Sequence, residues 1–202
     1  MSIAIIDTGS ANLNSVFQAF KRLGYEATIS SNIEEIDKAS HLVLPGVGTA
    51  CAVMDGVLKY GLKDYILNNK KPLLGICLGM QILATSSEEV PLNAQEKEIL
   101  SLDLIHAKVK KLQSNNLRLP HMGWNTVHHT DHPLFEGIKQ DAYFYFDHSF
   151  AMELNENAIG ISDYGQKFAA AVAIDNFMGV QFHPEKSSAT GERLLSNFIN
   201  NF

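Results

Sequence analysis

In the first eighty positions, short continuous apolar runs alternate with stretches whose apolar residues recur at helical spacing. Residues 2–7 (Ser-Ile-Ala-Ile-Ile-Asp) form a β-branched run of the kind a buried strand carries. Leu13, Val16, Phe17, Phe20 and Leu23 then recur every three or four positions and predict a helix. Residues 8–12 read as a turn, with Asn12 a candidate cap and Gly24 standing where a helix-ending glycine belongs. Residues 25–30 and 41–44 predict two more strands, the second ended by Pro45-Gly46. Residues 50–69 predict helix with a break near Gly61, residues 72–77 a strand, and residues 78–86 a helix. Strands alternating with helices in this way imply a parallel sheet covered on both faces.

From about residue 100 the texture changes. Residues 104–109, 142–146, 158–162, 168–174 and 178–182 predict strands with short connections, and residues 189–200 a closing helix. Residues 87–98 are polar and acidic, which fits a surface loop or short helix. There is no linker, repeat or low-complexity tract, so one α/β domain over residues 1–202 is expected.

Composition removes several classes of function. Apolar residues make up 46% and charged residues 19%, which supplies a core and excludes a disordered chain. The net charge is −6 and only Arg22, Arg118 and Arg193 are arginines, against a nucleic-acid binder or an anionic-membrane protein. No apolar run approaches the roughly 18 residues of a membrane span, and the N-terminus lacks the pattern of a signal peptide. Cys51 and Cys77 do not make a disulfide framework. A soluble cytoplasmic protein is expected.

Three segments carry candidate chemistry. Gly75-Ile-Cys-Leu-Gly79 places a cysteine between a predicted strand and a predicted helix, in the form of a nucleophile elbow. Such a turn holds the nucleophile at the strand end, lets neighbouring backbone approach at the glycines, and turns helix N-terminal N–H groups toward the sulfur. A buried packing cysteine is the other reading of the same five residues. Cys51, in a predicted helix without an elbow, reads as packing.

His183, in Gly179-Val-Gln-Phe-His-Pro-Glu185, is the best-placed base among the eight histidines. Pro184 favours extended geometry at His183, and in an extended segment Glu185 lies on the same side as the imidazole it would orient. A surface His-Pro-Glu turn is the alternative. Leu44-Pro-Gly-Val-Gly48 follows a strand and could free backbone N–H groups for a developing oxyanion. It lacks a phosphate loop's lysine.

Together these segments resemble the class I, triad-type glutamine amidotransferases. The resemblance implies a three-layer, flavodoxin-like fold with a mostly parallel central sheet and added antiparallel strands in the C-terminal half. It implies a glutaminase with Cys77, His183 and Glu185 as catalytic residues. Gly46, Val47 and Leu78 would form the oxyanion region. Gln81, His148 and Ser149 would meet the substrate glutamine, although His148 could equally be a core histidine. No cofactor is implied. Pro120-His-Met-Gly-Trp-Asn125, Tyr145-Phe-Asp-His-Ser149 and Gln181-Phe-His-Pro-Glu-Lys-Ser187 are similar to the branch whose partner is a (β/α)₈-barrel cyclase of histidine biosynthesis. That branch implies a heterodimer, with Met122, Trp124 and Asn125 toward the partner and the ammonia exit. Ordinary core packing is the alternative for Trp124. His121 reads as positional. His128, His129 and His132 lie in loop-like sequence without metal-ligand spacing. The chain departs from the family at residues 7–12, at Asp147 and Phe150, and at residues 101–105; none of these is in the triad.

Overall fold

The computed structural model describes residues 1–9, 13–91, 94–113 and 115–202. In chain order the first half comprises β1 (Ser2–Ile6), α1 (Leu13–Arg22), β2 (Glu26–Ser30), α2 (Ile33–Ile36), β3 (His41–Gly46), α3 (Ala50–Lys59), α4 (Leu62–Asn68), β4 (Leu73–Cys77) and α5 (Leu78–Gln81). The second half is mostly strand: β5 (Ala84–Ser87), β6 (Ile99–Leu100), β7 (Ile105–Lys111), β8 (His121–His129), β9 (Ala142–His148), β10 (Phe150–Met152), β11 (Ala158–Asp163), β12 (Lys167–Ile174) and β13 (Phe177–Val180), closed by α6 (Ser188–Asn201).

Nine strands form the main sheet in the order β2-β1-β3-β4-β13-β12-β11-β8-β9. The pairings from β2 through β13 are parallel, and those from β13 to β9 are antiparallel. Alternation along the parallel strands sends side chains to two cores. Ile3, Ile5, Val43, Leu74 and Ile76 join α1 and α6 through Val16, Phe20, Leu194 and Phe198. Ala4, Ile6, Leu42, Leu44 and Leu73 join α3 and α4 through Val53, Val57, Leu62 and Ile66. Both faces being covered is why these strands read as continuous apolar runs rather than alternating ones. A smaller sheet, β10-β7-β5-β6, adds Ile105, Val109 and Met152 to the second core.

The helix expected over residues 78–86 stops after one turn at Gln81, and the chain becomes β5. Burial decides this: Ile82, Leu83 and Ala84 are fully enclosed, and β5 pairs with β7 and β6. The break near Gly61 is present, with that residue left-handed at φ 66° between α3 and α4. β3 runs on through Pro45 and Gly46 instead of ending before them, because Gly46 stays in register with Cys77 of β4. His128 and His129 lie in strand β8, not in a loop, and His132 caps the short 3₁₀ turn Pro133–Phe135. The Asn12 cap lies outside the described residues, as do Leu92 and Asn93 of the acidic segment.

Candidate active site

β3, β4 and β13 are adjacent and parallel, and the candidate residues gather at their C-terminal ends, where open α/β sheets bind ligands. Cys77 closes β4 with φ 55° and ψ −111°, backbone space that only glycine enters freely. The flanking glycines allow it. A Cβ on Gly75 would lie 2.7 Å from the Gly79 carbonyl carbon and oxygen, and one on Gly46 would lie 2.8 Å from the Leu78 Cβ. The three glycines therefore lock elbow and oxyanion strand into direct contact. Because α5 is a single turn, its dipole is small, and any anion stabilisation falls to individual N–H groups.

The thiol is buried at a cavity of about 300 Å³, within the range of small-ligand pockets. Val47, Gly48, Leu78, Gln81, Asp147, His148, Ser149 and His183 line it, with Glu89, Pro120, Phe150 and Lys186. The structure thus brings Cys77, Val47, Leu78, Gln81, His148, Ser149 and His183 to one cavity. Gly46 lies just behind, packed on Leu78.

His183 follows β13 in extended conformation, and Pro184–Lys186 then forms a 3₁₀ turn. Glu185 therefore reaches the imidazole through this turn and not along a strand. Its Oε1 is 2.8 Å from Nδ1, with both side chains almost fully enclosed. Burial alone would lower the His183 pKa, but the Cys77 sulfur and Glu185 outweigh it and raise it to about 10. An imidazolium held between sulfur and carboxylate can pair with a thiolate and later give up a proton. The His183 N–H donates to the Tyr145 carbonyl, the Tyr145 N–H to Ser187 Oγ, and that hydroxyl to the His183 carbonyl. The first two bonds clamp the base loop to β9, and the third closes the loop on itself.

Gln81 is buried. Its Nε2 donates to the Phe150 carbonyl at 2.8 Å and to Gln181 Oε1 at 2.9 Å, while its own Oε1 has no partner within the protein. A lining group with an unpartnered buried acceptor is suited to a ligand N–H. His148 is a satisfied core histidine as well as a lining residue. Nδ1–H donates to the Phe150 carbonyl, so Nε2 is left to accept from His121 Nδ1 at 2.9 Å. Its ring has no atom free for a ligand, and only backbone remains to it. His121 is positional, stacked between Phe146 and Tyr164.

Met122 and Trp124 are 61% and 51% exposed, which excludes core packing for the tryptophan. Trp124 rests edge-on against Tyr145, and Asn125 points back to donate to the Asp163 carbonyl and toward His121. Cys51 is half-buried on α3, away from the cavity, and its sulfur faces Asp55.

Glu89 carries no signal in the sequence. It turns inward from the acidic segment, lines the cavity and accepts the Ala50 N–H at 2.8 Å; burial raises its carboxyl pKa against that bond. Nothing in the run Ser-Ser-Glu-Glu-Val distinguishes it from its exposed neighbour Glu88. Gln181 and Lys186 flank the base within its motif, but the sequence assigns neither a role.

A family model described as glutamine amidotransferase class-I matches residues 4–202. A Vibrio cholerae protein named imidazole glycerol phosphate synthase subunit HisH is 50% identical over 199 residues, covering 98% of each chain. A protein of that name from Photorhabdus laumondii is 48% identical over 200 residues, covering 98% of this chain and 99% of its own. Among solved structures, a glutamine amidotransferase from Thermotoga maritima superposes with a TM-score of 0.68 at 18% identity, covering 100% of this chain and 83% of that one. The PurLQS structure from the same organism gives 0.73 at 16% identity, with 99% and 98% covered. At such identities these two carry the fold alone.

Proposed function

The chain belongs to the class I glutamine amidotransferases, and from that premise we propose that it is the glutaminase subunit of an imidazole glycerol phosphate synthase. The observation that carries the chemistry is the enclosed Cys77–His183–Glu185 array opening on an amino-acid-sized cavity. The pathway is supported by full-length relatives that bear that enzyme's name.

Cys77 thiolate attacks the side-chain amide carbon of glutamine. The oxyanion is held by the backbone N–H groups of Val47, on the loop that Gly46 begins, and of Leu78, the first residue of α5. His183 gives its proton to the departing nitrogen, which leaves as ammonia, and the γ-glutamyl thioester remains. His183 then takes a proton from water, whose oxygen attacks the thioester. Glutamate leaves and the thiolate returns. Glu185 keeps the imidazole oriented throughout. Gln81 Oε1 and Glu89 are acceptors suited to substrate N–H groups, Glu89 to the α-ammonium, and His148 and Ser149 line the same cavity.

Ammonia passes to a (β/α)₈-barrel cyclase, which makes imidazole glycerol phosphate and the carboxamide ribotide of purine synthesis. The exposed Met122 and Trp124 side of β8 is the docking face, with the half-buried Asn125 turned back behind it toward His121, since Pro120, just before that strand, lines the cavity. No helix among the described residues is long and apolar enough to cross a membrane, which is compatible with cytoplasmic work.

The test is glutamate and ammonia release from glutamine by the chain alone and with a histidine-pathway cyclase carrying its nucleotide ligand. Strong stimulation is expected. Hydrolysis indifferent to the cyclase would move the chain to another synthase, and no hydrolysis in either mixture would remove the enzymatic reading.

A further inference from the structure

Gln181 is fully enclosed, two residues before His183. Its backbone is fixed by donation to the Ala170 carbonyl at 2.8 Å. Its side chain bridges two functional residues: Oε1 lies 2.9 Å from Gln81 Nε2, and Nε2 lies 3.7 Å from Cys77 Sγ.

Which end of each carboxamide faces which neighbour is set by one unambiguous atom. The Phe150 carbonyl can only accept, so the Gln81 atom 2.8 Å from it must be the NH₂ nitrogen. That nitrogen also faces Gln181, which must present its oxygen there. The Gln181 NH₂ is then forced toward the sulfur. Reversing either amide would set two donors or two acceptors against each other in an enclosed site, a costly arrangement.

Besides His183, the sulfur has one more polar neighbour among the described residues, with the opposite preference. The Asp147 carbonyl oxygen, 3.9 Å from Sγ, can accept from a thiol and only repels a thiolate. Gln181 supplies a neutral N–H that strengthens its bond as the sulfur gains charge.

We propose that Gln181 is a catalytic residue of the glutaminase, a donor that holds Cys77 as thiolate and aims it, with its orientation locked by Gln81. The proposal deepens the glutaminase reading and rests on Cys77 being the nucleophile. It gives the lock a consequence. The Gln81 side chain whose NH₂ fixes Gln181 also belongs to the cavity lining and keeps an enclosed, unpartnered Oε1, so cavity wall and nucleophile alignment share one residue.

The experiment is the pH profile of Cys77 alkylation by iodoacetamide, read by peptide mass spectrometry so that Cys51 is scored separately. Parent, Gln181→Met and Gln181→Glu are compared, each first checked for cooperative thermal unfolding. The titratable groups around the cavity, namely His183, Lys186, Glu89, Asp147 and His148, with Glu185 behind His183, are unchanged in all three. In Gln181→Met the midpoint should rise by about one pH unit, and kcat at saturating glutamine should fall about 10- to 100-fold. Gln181→Glu keeps the shape, replaces the donor with a charge, and should shift the midpoint further. If Met does not fold, Gln181→Leu, which also removes the donor without adding a charge, takes its place. A folded variant with the parent's midpoint overturns the proposal. Alkylation needs no turnover, so failure of the glutaminase reading would show separately, as absent glutamine hydrolysis by the parent with its cyclase.

Discussion

A methyl group on Gly79 would fall 1.7 Å from the carbonyl oxygen of Leu44. The turn after the candidate nucleophile is thus pressed against the strand that leads into the oxyanion loop, and backbone, not a yielding side chain, is what a Cβ meets. Gly79→Ala should cost about 3 kcal/mol or more, at the severe end of point substitutions. Urea unfolding measures it. A loss under about 1 kcal/mol would mean that elbow and strand are free to separate, and that their contact does not fix the site.

The φ of 55° at Cys77 gives a second expectation. Cys77→Ala and Cys77→Gly should both abolish glutamine hydrolysis and leave cyclase binding intact. Their stabilities should differ against the usual order. Glycine relieves the strained backbone, so it should be the more stable of the two by about 1 kcal/mol, where an ordinary strand position favours alanine. Equal stabilities would show that the elbow stores no strain. Residual turnover in the alanine variant would remove Cys77 as nucleophile.

The gathering of Cys77, His183 and Glu185 was legible because they lie in local patterns: a cysteine between glycines at a strand end, and a histidine two residues from a carboxylate. The parallel half of the sheet was legible for a similar reason, since burial on both faces writes continuous apolar runs at β1, β3 and β4. Strand β8 was not, because its polarity is inverted. His121 is buried, satisfied by His148 and aromatic stacking, while Met122 and Trp124 are exposed. A reading that puts Met and Trp inside and His outside finds no strand there. The helix after Cys77 was overextended because its apolar residues suit either structure, and pairing with β7 decides between them. Glu89 is hidden for another reason, since only the folded chain turns it toward the cavity.

Glu185 offers a test of charge apart from shape. Its Oε1 meets His183 at 2.8 Å and its Oε2 is enclosed without a partner. Glu185→Gln keeps an acceptor for Nδ1 but removes the charge. The His183 pKa should fall from about 10, and kcat should drop on the order of 10²-fold or more. NMR titration of the imidazole and hydrolysis kinetics report the two effects. An unchanged kcat would leave Glu185 a structural residue only.

The pair His121–His148 should make the fold acid-sensitive. Burial lowers His148 to about 3 and His121 to about 4, both below the ordinary value of 6.5. A histidine depressed in the folded state takes up its proton more readily when unfolded. Its stabilising effect is complete above pH 6.5 and is lost as pH falls toward the folded value. For His148 alone, the change between pH 6.5 and 5 is about 2 kcal/mol. His183, raised to about 10, acts in the opposite sense: its contribution is present below 6.5 and lost as pH rises to about 10, so it does not cause the acid loss. His148→Gln keeps an acceptor for the His121 N–H and cannot titrate. It should be less stable than the parent at neutral pH, yet lose about 2 kcal/mol less on acidification from 6.5 to 5, measured by urea unfolding at both values. An identical acid loss in parent and variant would place the sensitivity elsewhere, in the carboxylates, and would mean that His148 is not held neutral by its burial.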